Sequence, residues 1–114
     1  MLKDNYKKIA FGNTGFSEIN PNDYLKKTIS IPLNLLFKPS KILLSLSADR
    51  NFYFNYIFIT EEYLTGRNFY LEDSNGGRTI FGVTKYTKEV LEITVTYCKE
   101  SYMRIYFKDW IAIE

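Results

Sequence analysis

Histidine does not occur among the 114 residues, and cysteine occurs once, as Cys98. The first absence removes the commonest general base and metal ligand near neutral pH. The second excludes an intramolecular disulfide framework and any cysteine-based zinc site. Neither a metal nor a cofactor is expected, and an enzyme is not: no nucleophile paired with a base can be assembled from the residue types present. No stretch of about 18 uncharged apolar residues occurs. The amino terminus, Met1 to Lys8, lacks the apolar core of a signal peptide. The expectation is a chain made in the cytoplasm without a signal peptide or membrane insertion. Charge of one sign is not concentrated either. Fifteen Lys and Arg stand against thirteen Asp and Glu, and apart from Lys7-Lys8 and Lys26-Lys27 the basic residues are scattered, which is no footprint of nucleic acid.

What the chain has in quantity is aromatic: ten tyrosines and nine phenylalanines, with frequent Ile and Thr and little Ala. This is a strand-forming vocabulary, and the length fits one domain with a core of its own. The stretch that organises the rest is the end. From Glu92 to Glu114, Ile93, Val95 and Tyr97 alternate with Thr94, Thr96 and Cys98; Met103, Ile105 and Phe107 alternate with Tyr102, Arg104 and Tyr106. Two period-two runs around Lys99-Glu100-Ser101 predict a hairpin with one apolar face, in which Cys98 is an inert sheet residue. Trp110, the sole tryptophan, opens a last apolar run to Ile113 that must be an inner or interface strand to be tied down.

Upstream, residues 1–26 are polar and turn-rich, with room for a short strand near Lys8 to Phe11, and form an arm or an edge. Residues 27–114 form the domain proper. Ile29, Ile31, Leu33 and Leu35 alternate with polar residues, and Pro32, which cannot donate to a ladder, favours an edge or a bulge. Lys41 to Ser47 predicts a further strand. Asn51 to Thr60 is apolar on both faces. Phe54 and Phe58 are expected in the core, and Tyr53 and Ile57 against another subunit. Glu61 to Gly66 reads as a helical turn or loop. Asn68 to Glu72 and Thr79 to Val83 read as strands joined by Asp73-Ser74-Asn75-Gly76-Gly77-Arg78, a hairpin turn rich in residues that tolerate positive φ. Gly82 weakens the second of these or marks a bulge. Thr84 to Glu89 is a polar connection. Strands at intervals of about 8 to 12 residues with no convincing helix predict a small antiparallel β-sandwich of six to eight strands.

Candidate chemistry is sparse. The turn at 73–78 lacks the Lys-Ser/Thr and helix of a phosphate loop and the twelfth-position glutamate of a calcium loop. Glu61-Glu62 is adjacent on the chain and suits a solvated loop better than acid–base work. The tyrosines offer flat apolar faces with polar tips, suited to sugar rings or protein interfaces. The best ligand cluster is Asp73, Asn75 and Arg78, with Tyr70 or Tyr86 as an aromatic partner. Because Tyr86 lies at the far end of the strand from the turn, one shared site would need a neighbouring chain.

The run Thr28 to Leu33, then Phe37-Lys38-Pro39-Ser40-Lys41-Ile42-Leu43-Leu44, and the closing Trp110-Ile111-Ala112-Ile113-Glu114 resemble the H-type lectin domain and similar β-sandwich tips of phage and prophage tail fibres. The resemblance spans roughly residues 27–114. It implies a six-stranded antiparallel sandwich, a homotrimer, and binding of cell-surface glycan in clefts between subunits. It places the chain in a virion or tail, beside other tail proteins. The animal lectins of that family use a histidine beside the sugar, and this chain has none, so no sugar contact carries over. The competing reading is a structural or assembly protein of the same kind of particle, without a ligand.

Overall fold

Alternation of apolar and polar side chains is realised as strand after strand. The computed structural model describes residues 7–19, 26–48, 55–72, 78–98 and 105–114, with residues 15–19, 48, 55, 71–72, 78 and 97–98 in backbone only. Eight strands form: β1 (Ile9–Ile19), β2 (Lys26–Pro32), β3 (Lys41–Ala48), β4 (Asn55–Ile59), β5 (Asn68–Glu72), β6 (Arg78–Tyr86), β7 (Val90–Cys98) and β8 (Ile105–Ile113). They make two four-stranded sheets, β1-β8-β3-β4 and β2-β7-β6-β5, in which every pairing is antiparallel. The protein is an all-β antiparallel sandwich. Among the described residues there are eight strands, at the top of the six to eight that the spacing predicts, where the family resemblance implied six.

The closing segment is an inner strand. β8 lies between β1 and β3, so the apolar terminus is paired on both sides. The expected hairpin of the last two runs does not form, because β7 sits in the second sheet and β8 in the first. Period-two alternation fixes which face of a strand is buried but not which strand it pairs with. Here the buried faces of β7 and β8 both contribute to the core, from different sheets. Trp110 belongs to the same strand as Phe107, not to a separate run. A register shift opposite Leu44/Leu46 keeps both on the inner side.

The first segment carries a longer strand than the short one expected near Lys8 to Phe11. β1 runs eleven residues as the edge strand of the first sheet, so residues before 27 supply part of the sandwich. Gly12 is not a turn residue but the neighbour of Trp110 in register. A Cβ there would run into the indole Cζ2 and Cε2, so the ring lies over the bare backbone of β1. The polar residues that suggested a break form an irregularity between Asn13 and Ser17. There the Thr14 hydroxyl lies 2.8 and 2.9 Å from the carbonyls of Phe107 and Lys108. Pro32 ends β2, an edge strand, as its missing N–H requires.

The core is built from Ile42, Leu44, Leu46, Ile59, Ile105, Phe107, Trp110 and Ala112 of the first sheet against Ile31, Phe81, Val83, Leu91, Ile93 and Val95 of the second. Phe69 stacks on Phe81 at 4.8 Å, and Phe81 meets Phe107 edge to face at 6.3 Å across the sandwich. β6 extends through residues 84–86, which were expected in a polar connection. The register shift falls between Val83 and Lys85, just past Gly82, where a Cβ would come within 3.0 Å of the Asn68 side-chain oxygen. A 3-10 turn spans Glu61–Thr65, closed by Gly66 in the left-handed region.

In β4 the faces are reversed relative to the sequence reading. Ile59 is fully buried and Ile57 packs against the core, whereas Phe58 and Tyr56 point outward. The register explains why: Ile59 pairs with Ile42 and Ile57 with Leu44, both inner residues of β3. Both faces of this strand are apolar, so alternation alone could not choose between them. Tyr53 and Phe54 lie outside the described residues.

Candidate functional site

Of the ligand cluster read from the sequence, Asp73 and Asn75 lie outside the described residues. Arg78 opens β6, described in backbone only. Tyr70, on edge strand β5, is 57% exposed and stands three residues before Asp73 in the sequence. Tyr86 is not brought to the cluster. It closes β6 eight residues from Arg78, about 27 Å away along an extended strand. It is 4% exposed, and its hydroxyl donates to the Pro39 carbonyl at 3.0 Å. Burial, and then the nearby Glu61 carboxylate, push its pKa up to about 12. Tyr86 is a buried strut between β6 and the segment that leads into β3, and its ring is not available for stacking on a ligand.

The adjacent carboxylates are also accounted for. Glu61 pairs with Lys38 at 2.6 Å and Glu62 with Arg67 at 3.1 Å, all of them well exposed, as suits a solvated turn. Among the described residues there is no group of three or more Cys, Asp or Glu that could hold a metal ion.

The two outer faces of the sandwich differ in chemistry. The outside of the second sheet is polar. Thr28 and Thr94 join hydroxyls at 2.9 Å, Ser30 donates to Glu92 at 3.2 Å, and Thr84 donates to Glu92 at 2.9 Å. The outside of the first sheet is apolar. Phe11 pairs with Ile111, Ile111 with Leu43 and Leu43 with Phe58, so four apolar side chains stand in one row across all four strands. Phe11 is 73% and Phe58 59% exposed, and Ile9 and Tyr56 flank the row, also exposed. At a strand spacing of about 4.8 Å the row is about 14 Å wide at the backbone. Toward the other end, Ser45 and Ser47 are buried beside Tyr56 and Tyr106 in register.

A groove of about 470 Å³ opens where β1 and the stretch after β2 approach, walled by residues 8–11 on one side and 33–37 on the other, with Trp110 between them. The second wall is held by backbone. The N–H groups of Leu33 and Asn34 donate to the Glu89 carbonyl and that of Leu35 to Lys88, at 2.8 to 3.1 Å. Asn34 takes a left-handed φ of 50°, a conformation asparagine tolerates better than most residues. Sequence reading did not find this row or this groove. The signal for the row was present in the two apolar faces of residues 55–59. The groove, drawn from residues 8–11, 33–37 and 110, has no local signal.

Comparison with known proteins returns no match: no family model, no curated protein and no solved structure is recognisably similar to this chain.

Proposed function

We propose that the protein is a non-catalytic assembly and recognition module that works as a homo-oligomer, with the outer face of the first sheet as its subunit contact. The observation that carries this is the row Phe11–Ile111–Leu43–Phe58 on a sheet whose opposite number is polar outside. Monomeric proteins rarely leave a contiguous apolar patch of this kind uncovered. Association of identical chains is the commonest way to cover one. The near balance of acidic and basic residues puts no strong repulsion between copies. The lectin-like resemblance suggests three copies, and with it a structural part of a phage or prophage tail. In that setting the subunit contact here is made by Phe58 and Tyr56, not by Ile57.

Glycan binding is the second reading, favoured by exposed Tyr70, three residues before Asp73 and five before Asn75 in the sequence. An aromatic face, with carboxylate, amide and guanidinium groups supplied nearby in sequence, is the chemistry that suits a sugar ring and its hydroxyls. The experiment is a glycan array probed with the native chain, Tyr70→Ala and Arg78→Ala. Cell-surface recognition through this end requires selective binding that both substitutions remove. An array without signal leaves assembly alone as the function.

A further inference from the structure

An edge strand turns alternate backbone N–H and C=O groups away from its one neighbour, and proteins guard such edges against pairing with other chains. The sandwich has four edges, β1 and β4 in the first sheet and β2 and β5 in the second. Three are guarded. β1 is broken by the irregularity between Asn13 and Ser17. β2 ends on Pro32 and sets Lys27 opposite Val95, on the inward side, where an added strand would have to bury a charge. β5 runs between Arg67 and Glu72, and the 3-10 turn lies against it, Tyr63 meeting Phe69 edge to face at 6.0 Å. β4 has no guard. From Asn51 to Thr60 the sequence holds no charge, proline or glycine, the composition of a strand that adds readily to another. β3 is its one partner strand among the described residues. Ile57, an inner residue, is only half-buried, while Leu44 opposite it is sealed.

We infer that β4 pairs with β4 of a second copy, antiparallel and centred on Ile57, joining the two first sheets into one continuous sheet. The open edge sets the chemistry of its partner, because only an extended strand matches a row of alternating donors and acceptors. A strand rich in charge finds no countercharge along residues 51–60. A second β4 brings none. Centred on Ile57, the pairing sets Asn55 opposite Ile59, Tyr56 opposite Phe58 and Ile57 opposite itself. Residues directly opposite share a face, so the exposed rings of Tyr56 and Phe58 meet twice on the outer side, as stabilising cross-strand aromatic pairs do. On the inner side the two Ile57 side chains cover each other's open flank. A slip of one residue would instead set outer rings against inner isoleucines. The inference rests on the homo-oligomeric reading but not on the outer face as its contact.

The register supplies the test. In a Cys98→Ser background, which removes the one native thiol, Tyr56→Cys and Phe58→Cys chains would be mixed in equal amounts under mild oxidation and the disulfides counted by intact mass. The mixed 56–58 product is expected in at least about fivefold excess over either like-with-like product, because only that pair comes within disulfide reach. Adding Phe11→Lys to both chains disturbs the outer face at the far side of the sheet and should leave the excess unchanged. In the unsubstituted chain, the amides of β4 that face away from β3 should exchange about fivefold or more slowly than the corresponding amides of edge strand β2, as one added hydrogen bond per amide implies. Like-with-like disulfides in equal yield, an excess that Phe11→Lys abolishes, or β4 amides that exchange as fast as those of β2 would each overturn the pairing. An unchanged excess alongside an unchanged native mass in Phe11→Lys tells against the outer-face contact and leaves the pairing standing.

Discussion

Two side chains decide more than their neighbours, and each can be tested alone. At Gly12 the indole of Trp110 occupies the space a Cβ would need. The ring is held between β1 and the core, so Gly12→Ala must displace an inner strand residue and should cost about 1–3 kcal/mol, as overpacking does. Chemical denaturation would measure it, and an unchanged midpoint would mean that the ring is not seated there. At Tyr86 the phenol is neutral, buried and bonded to Pro39. Its folded pKa of about 12 lies above the ordinary 10.0. Between these values the unfolded chain has released the proton and the folded chain has kept it, so stability falls as pH rises. Its contribution is therefore whole below about pH 10 and lost toward pH 12, a difference of about 2 to 3 kcal/mol for a shift of this size. Tyr86→Phe should lower stability at neutral pH by about 1 kcal/mol through the lost bond. It should also flatten the alkaline decline relative to the native chain.

At the scale of elements, β4 and β8 carry the strongest expectations. Ile59→Ala should cost about 2–5 kcal/mol because Ile59 is fully buried against Ile42. Phe58→Ala should move stability by about 0.5 kcal/mol or less in the monomer, since its ring points outward. Melting curves of the two variants at concentrations where both are monomeric decide the face, and the reverse order would restore the reading that puts the phenylalanines inside. Removing residues 109–114 takes away the inner half of β8 and the partner of Gly12. With Trp110 gone the loss is of the order of 5 kcal/mol, comparable with the stability of a small domain, and insoluble protein is the expected outcome. A soluble truncation with the native melting temperature would show the terminus to be a tail. Much of this level was legible in advance. Alternation located β2, β3, β5 and β7 to within a few residues, Pro32 marked an edge or a bulge, and the apolar terminus marked an inner or interface strand. Partner choice was not legible, because the same alternation serves a hairpin and two strands in different sheets of a sandwich. For β1, the glycine and polar residues that read as turns serve a packed indole and a bulge.

At the scale of the molecule, the candidate sites were legible only in part. Asp73 and Asn75 lie outside the described residues, and Tyr86 could not be excluded without knowing that Pro39 approaches it from 47 positions away. The aromatic abundance that suggested a surface for sugars or subunits is divided by the fold: Phe81, Phe107 and Tyr86 go inside, while Phe11, Tyr56, Phe58 and Tyr70 remain outside. Three of those four outward rings lie on one sheet, and that segregation is the basis for expecting self-association. The most direct measurement is the solution mass by light scattering of the native chain and of the double variant Phe11→Lys/Phe58→Lys, over a range of concentration. The account predicts a stable multiple of the chain mass for the native protein, threefold if the lectin-like arrangement holds. It predicts a monomer with an unchanged circular dichroism spectrum for the variant, because two unpaired ammonium groups cannot be buried in an apolar contact. A native protein that is monomeric at every concentration, or a double variant that keeps the native mass, would contradict it.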